Sequence, residues 1–155
     1  MSTSLTLEEQ ATNFDTSKHI RRVQELIHFF VKDLLDRADK HDKSKLESPE
    51  VEYFTEYTEK LCKMTYGTQE YKDSLQDMKP ALDHHYAHNR HHPQHFKNGV
   101  NDMNILDILE MFCDWKASSE RHNDGNIRKS IEHNGTRFEM SPQLVKIFEN
   151  TADLL

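Results

Sequence analysis

Strand-like alternation of apolar and polar residues is nearly absent from this chain, and only four glycines and four prolines interrupt its 155 residues. A backbone with so few turn formers and no two-residue period is constrained to helices. The pattern predicts an all-α fold, a compact bundle of about six to seven helices. One domain over residues 1–155 suffices, since a chain of this length buries roughly two thirds of the surface it exposes when unfolded. It needs no disulfide to fold.

Residues 1–14 read as a flexible or partly helical arm. From Ser17 to Lys40 the apolar positions Ile20, Val23, Leu26, Ile27, Phe30, Leu34 and Ala38 recur at three-to-four spacing. That is a long amphipathic helix, with Asp15, Thr16 or Ser17 as its N-cap. Ser48 and Pro49 look like the cap and first residue of a helix carrying Val51, Phe54, Tyr57 or Thr58, and Leu61 inward and ending near Gly67. A shorter helix is expected over 68–78, and Pro80 opens another through His88. The stretch NRHHPQHFKNG, broken by Pro93 and Gly99, reads as an irregular loop. Residues 102–121 form the most apolar helix, with Met103, Ile105, Leu106, Ile108, Leu109, Met111, Phe112 and Trp115 covering most of its circumference. Trp115 reads as core. Two further helices are expected near 125–133 and from Ser141-Pro142 to about Leu154.

Composition removes several function classes. The two cysteines, Cys62 and Cys113, lie in apolar or amphipathic stretches and form no Cys-x-x-Cys pair, so they read as reduced, packed thiols. No apolar run approaches the roughly 18 residues of a membrane span, and the first residues carry no secretory pattern. A cytoplasmic protein without membrane association is expected. The net charge of −7 argues against non-specific nucleic-acid binding, which needs excess Lys and Arg facing phosphates. An anionic ligand would need a local positive charge, and a bound metal ion is the obvious one. Phe148 and Leu154-Leu155, read as exposed apolar positions, leave room for a homo-oligomer.

Eleven residues are histidine, six of them between 84 and 95. Histidine is the commonest metal ligand. In the apolar helix, Asp107, Glu110 and Asp114 fall at i, i+3 and i+7, within about 60° of one another. Three carboxylates on one stripe of such a helix are either its solvent face or a set of ligands. A helix from Pro80 sets His84 with His88 on one face and His85 with Asn89 on the next. His91, His92 and His95 lie in the loop that leads into the carboxylate helix. Imidazole and carboxylate donors without thiolates suit Mn, Fe, Co, Ni or Zn. His41-Asp42 follows the first long helix, with His19 about six turns upstream. Adjacent residues point about 100° apart on a regular helix, so this dipeptide gains weight only from its company.

That company resembles the HD-domain superfamily of metal-dependent phosphohydrolases, whose pattern is His, then His-Asp, then a distant Asp. The matching positions are His19, His41, Asp42 and Asp114. The chain is more closely similar to an uncharacterised, often phage-encoded family of HD-like proteins. Its H-D-x-S-K followed by Glu, H-H-x₃-N-x-H-H and E-M-x₂-D-W segments read here as HDKSK (41–45) with Glu47 or Glu50, HHYAHNRHH (84–92) and EMFCDW (110–115). The resemblance implies an HD-like helical bundle, and a host cytoplasm if the chain is phage-encoded. It also implies a divalent ion (Mg joins the metals named above) held by His19, His41, Asp42 and Asp114, with His85, His91 and His92 as further ligands.

The reaction this implies is hydrolysis of a nucleotide-type phosphate ester. Asp42 or Glu110 would orient or deprotonate a water, and Lys45, Asn89 and Arg90 would meet the substrate, with Arg121 a weaker candidate. Lys45 reads equally well as a solvated lysine before a turn, and His122 and His133 as surface residues. Three other readings stand beside hydrolysis: a non-catalytic nucleotide or signal-molecule binder, an HD-type two-iron oxygenase, and a purely structural helical domain.

Overall fold

The computed structural model describes residues 5–64, 68–121 and 125–155, with the side chains of 61–63 and 71–72 outside the description. Among the described residues there are seven α-helices and no strand: α1 Leu7–Lys40, α2 Glu50–Lys63, α3 Gln69–Asp77, α4 Lys79–His88, α5 Ile105–Ser119, α6 Ile127–Arg137 and α7 Pro142–Ala152. Short 3-10 turns occupy Lys43–Leu46, Pro93–His95 and Gly99–Asp102. The expected all-α fold is present. No described helix is long and apolar enough to cross a membrane. The expected ends near Gly67 and the surface role of His122 lie outside the described residues, as does the Cys62 side chain.

Where one domain was expected, the chain divides into two compact units, Met1–Asp39 and Lys40–Leu155. The first is essentially α1, which begins ten residues earlier than the apolar periodicity suggests. The reason is a capping box. Thr6 Oγ1 accepts from the Glu9 amide at 3.2 Å, and Glu9 Oε2 accepts from the Thr6 amide at 2.7 Å, satisfying donors that a helix start leaves orphaned. Residues 7–14 are therefore helical, in line with the partly helical form of the expected arm. No residue of α1 is buried.

The second unit packs α5, α6 and α7 around Met111, Phe112, Ile131 and Phe148, with Trp115, Ile108, Met140 and Val145 at the margin. Phe112 and Phe148 stack with ring centroids 5.7 Å apart, and Trp115 tilts against Phe148 at 5.5 Å. Aromatic side chains contribute the largest apolar areas to a core, which is why these three anchor it. Trp115 is partly buried and packs against the core, close to the expected core position. Phe148 is buried, against the expectation of an exposed position, because it faces α5, while Leu154 and Leu155 are exposed. Cys113 is likewise exposed rather than packed.

Helix α5 starts at Ile105, three residues later than expected, because Asn104 caps it. Its side-chain oxygen accepts from the amides of Leu106 and Asp107 at 2.9 and 3.0 Å, and Asp107 returns a bond to the Asn104 amide. Ile105 and Leu109 lie exposed, so the helix has an open side that its apolar count hides. Ser141 caps α7 as predicted. Beside this core, α2, α3 and α4 pack together, and Met78 and Ala81 are fully or nearly fully buried.

Candidate metal centre

Three segments of the second unit converge on one polar cluster. The first is the turn after Lys40. There Asp42 takes the left-handed conformation (φ 55°, ψ 14°) and opens the 3-10 turn Lys43–Leu46. This break resolves the geometric objection to a His-Asp pair: the two side chains leave a bend, not a regular helix, and both reach the same point. Asp is among the few L residues that tolerate this backbone region.

The second segment runs from α4 into its loop. Asn89 ends α4 in extended conformation (φ −119°, ψ 103°). Its Nδ2 donates to the His85 carbonyl and to Ser44 Oγ, both at 2.8 Å. The chain then doubles back, so His91 and His92 face the same centre as His85. The third segment is α5, which supplies Glu110 and Asp114 from the same stripe.

The donor atoms form three overlapping groups: Asp42 with His85, His91 and His92; His41 with His91 and Glu110; and His41 with Asp42 and Asp114. Within each group the ligand atoms lie inside 4.8 Å of one another. Asp42 Oδ1 lies 3.3 Å from both His85 Nε2 and His91 Nε2, while His85 Nε2 and His92 Nε2 are 2.9 Å apart. Glu110 Oε1 accepts from His41 Nδ1 at 3.0 Å and lies 3.1 Å from His91 Nδ1. Asp114 Oδ1 is 3.8 Å from His41 Nε2, an ion-pair distance beyond hydrogen-bond reach.

Two of these atoms, Asp42 Oδ1 and His91 Nε2, are buried and have no hydrogen-bond partner. Unsatisfied buried polar atoms cost free energy and are rare in folded proteins. Two in one cluster, ringed by further nitrogen and oxygen donors, fit a cation better than they fit a finished protein interior. The donors are imidazole and carboxylate without thiolate, a set suited to Mn, Fe, Co, Ni or Zn.

The electrostatics are divided. Asp114 and Glu110 drive His41 up to about 10, against an opposing push from burial. Burial would raise Glu110, but His41 and His91 outweigh it and bring its carboxyl to about 2. Burial likewise opposes the shift at Asp42, yet His91 and Lys45 hold that carboxyl well below the usual range. His92 goes the other way: burial, with the His91 and His85 charges, presses it down to about 3. Burial also lowers His85, with Lys45 adding to it. Both shifts favour the neutral imidazole, the form that ligates metal.

Several expected site residues are placed differently from the HD-like scheme. His19, expected as a ligand, is an exposed residue of α1, in the first unit, whereas the three groups are built within the second. His85, His91 and His92, expected as further ligands, form the four-donor group with Asp42. Lys45, expected to meet substrate, donates to Asp42 Oδ2 at 2.6 Å. Asn89 spends its amide on Ser44 and the α4 backbone. Arg90, also expected at substrate, makes a bidentate pair with Asp107 at 3.1 and 3.0 Å and lies over the Phe96 ring. Asp107 accordingly leaves the ligand stripe and serves as cap and ion-pair partner, fully buried. Arg121 and His133 are exposed. His95 Nδ1 donates to the Tyr86 carbonyl at 2.8 Å, and His88 Nδ1 to the His84 carbonyl at 2.7 Å, so both are engaged in structure.

One residue of the cluster escaped a functional reading. Glu50 is 0 % exposed, and its two oxygens accept from His84 Nδ1 at 2.7 Å and His85 Nδ1 at 2.8 Å. The only signal for it in the sequence is its place after the HDKSK segment.

The chain belongs to a family of unknown function, DUF5662, whose model matches residues 8–154. Nothing among curated proteins or solved structures matches it.

Proposed function

We propose that this family member is a divalent-metal-dependent hydrolase of phosphate esters, nucleotide-type esters foremost. One observation carries the metal: Asp42 Oδ1 and His91 Nε2, both buried and unpartnered, lie 3.3 Å apart among the Nε2 atoms of His85 and His92. Those four residues would hold the ion. His41, Asp42 and Asp114 make an adjoining set that shares Asp42, and the choice of reaction comes from the motif resemblance to HD-domain phosphohydrolases read in the sequence.

When bound, the metal would supply Lewis acidity, polarising a phosphoryl oxygen and bringing the pKa of a water from 15.7 toward about 7. The chain's own residues prepare the site. Lys45 compensates part of the charge on Asp42. Glu110 is occupied by His41 and His91 and holds them in place, so the expected role of general base passes from Glu110 to Asp114. Burial would raise Asp114, but His41 together with the charges of His91 and His92 brings it below its usual value, which favours an ionised carboxylate able to orient a water. Because Lys45 and Arg90 are already paired with carboxylates, the charge of a phosphate is left for the metal to meet.

The test is a panel of nucleotide mono- and diesters incubated with metal-stripped protein and Mn²⁺. Product release that vanishes in Asp42→Asn supports hydrolysis. Tight binding with full recovery of intact ligand would instead make the protein a binder.

The sharing of Asp42 between two adjoining ligand groups favours keeping a second reading, a two-iron oxygenase. It requires about two irons per chain and oxygen uptake with an organic substrate, whereas hydrolysis proceeds without oxygen.

A further inference from the structure

The carboxylate of Glu50 lies outside all three ligand groups and yet is completely removed from water. A buried carboxylate persists only where it is paired and hydrogen-bonded. Its partners here are two histidines on successive positions of α4, one of which belongs to the metal centre. We infer that Glu50 is a positioning residue for the metal centre: it accepts a hydrogen bond from His85 Nδ1–H and thereby leaves the Nε2 lone pair for the ion that Asp42, His91 and His92 would share. This rests on the metal reading above and extends it to the residue that sets the ligand's tautomer.

The proton assignment follows from counting donors. Three groups surround His85 Nδ1: Glu50 Oε2 at 2.8 Å, Asn89 Nδ2 at 3.1 Å and Ser44 Oγ at 3.3 Å. The two amide hydrogens of Asn89 are taken by Ser44 Oγ and by the His85 carbonyl. Asn89 therefore has none left for Nδ1, and a hydrogen from the Ser44 hydroxyl at 3.3 Å would leave the Nδ1 lone pair set against the nearer Glu50 oxygen at 2.8 Å. An ionised Glu50 can only accept. Nδ1 must then carry the hydrogen, and in a neutral ring the other nitrogen carries the lone pair. That nitrogen, Nε2, is the one 3.3 Å from Asp42 Oδ1 and 2.9 Å from His92 Nε2. Carboxylates behind ligand histidines act this way in metal sites generally, fixing ring orientation and making the ligand more basic.

His84 completes the arrangement from the other side. It is one-third exposed, occupies Glu50 Oε1, and joins no ligand group. It therefore holds Glu50, not the metal.

The experiment compares wild type, Glu50→Gln and His84→Gln. Glutamine keeps the shape but offers one acceptor and one donor, so it cannot accept from both imidazoles. In metal-free wild type at about pH 8, where imidazoles are mostly neutral, ¹⁵N NMR is expected to show His85 protonated on Nδ1. In E50Q that signature is lost, and Co²⁺ affinity by calorimetric titration falls about 10- to 100-fold. H84Q keeps the Glu50–His85 bond and is expected to stay within about threefold of wild type, below the losses typical of a broken ligand support.

Wild-type His85 protonated on Nε2 would overturn the inference without need of any variant, so the test survives if E50Q does not fold. E50Q binding Co²⁺ as tightly as wild type would overturn it alone. Wild type binding no Co²⁺ would overturn the metal reading, and the inference with it.

Discussion

Asp42 Oδ1 and His91 Nε2 face each other at 3.3 Å inside the second unit, and neither makes a hydrogen bond. Each atom belongs to a residue anchored elsewhere: Asp42 through Lys45, His91 through Glu110. The pair is therefore held in place without being satisfied, which is how a site looks when its partner is something other than protein.

Metal should stabilise the fold through this pair. An ion at 100 times its dissociation constant adds about 2.7 kcal/mol, or roughly 8 °C in melting temperature for a chain of this length. Asp42→Asn preserves size and tolerates the same backbone conformation but weakens the ligand, so the shift on adding Co²⁺ should disappear in differential scanning fluorimetry. An equal shift in the variant would remove Asp42 from the ligand set.

The metal-free protein should lose stability as pH rises. His41 has a folded value of about 10 against 6.5 unfolded, held up by Asp114 and Glu110. Its contribution is fully present below pH 6.5 and fades as pH climbs through about 10. Thermal melts across that window should slope downward, and His41→Gln should flatten the slope. Metal binding at His41 must expel the same proton, so affinity there should strengthen over the range in which apo stability falls.

Asp107 gives a contrasting case. Its partners are Arg90 and the Asn104 cap, which pin the histidine loop to the start of α5. Asp107→Asn breaks a buried pair whose Arg90 side chain is 47 % exposed. The expected cost is about 2–3 kcal/mol, the low end for such pairs because solvent screens the arginine. Urea titration reads the loss. Metal stoichiometry should be unchanged wherever the variant is folded.

Lys45 separates two roles cleanly. As the counter-charge of Asp42 it competes with a metal for that carboxylate. Lys45→Met should then tighten Co²⁺ binding by about threefold, the size of a partly exposed ion pair. A phosphate-binding lysine would leave Co²⁺ affinity untouched and raise KM instead.

Much of this was readable before any coordinates. The three-to-four spacing of apolar residues located most of α1, the apolar run over 102–121 located α5, and Pro80 and Ser141-Pro142 marked helix starts within one or two residues. Glu110 and Asp114 were visible as carboxylates on an apolar helix, and the histidine cluster as a local excess. What escaped depends on contacts between distant segments. Nothing local to Glu50 says that it will accept from two imidazoles of α4. Asp107 shares the stripe of Glu110 and Asp114, but a cap and an arginine claim it first. The return of His91 and His92 toward His85 depends on the extended backbone at Asn89, a turn that composition does not encode.

The left-handed backbone at Asp42 has a consequence for reading related sequences. Only a few residues sit comfortably in that conformation, chiefly Gly, Asn and Asp. The shape of this bend and the charge it carries are thus separable by a single codon change. A relative with His-Asn or His-Gly here would be expected to keep the turn and the helices around it while surrendering the one carboxylate common to both sets of donors. Position 42 is accordingly a marker to sort such chains by: Asp for those equipped to hold an ion, Asn or Gly for those that keep only the scaffold.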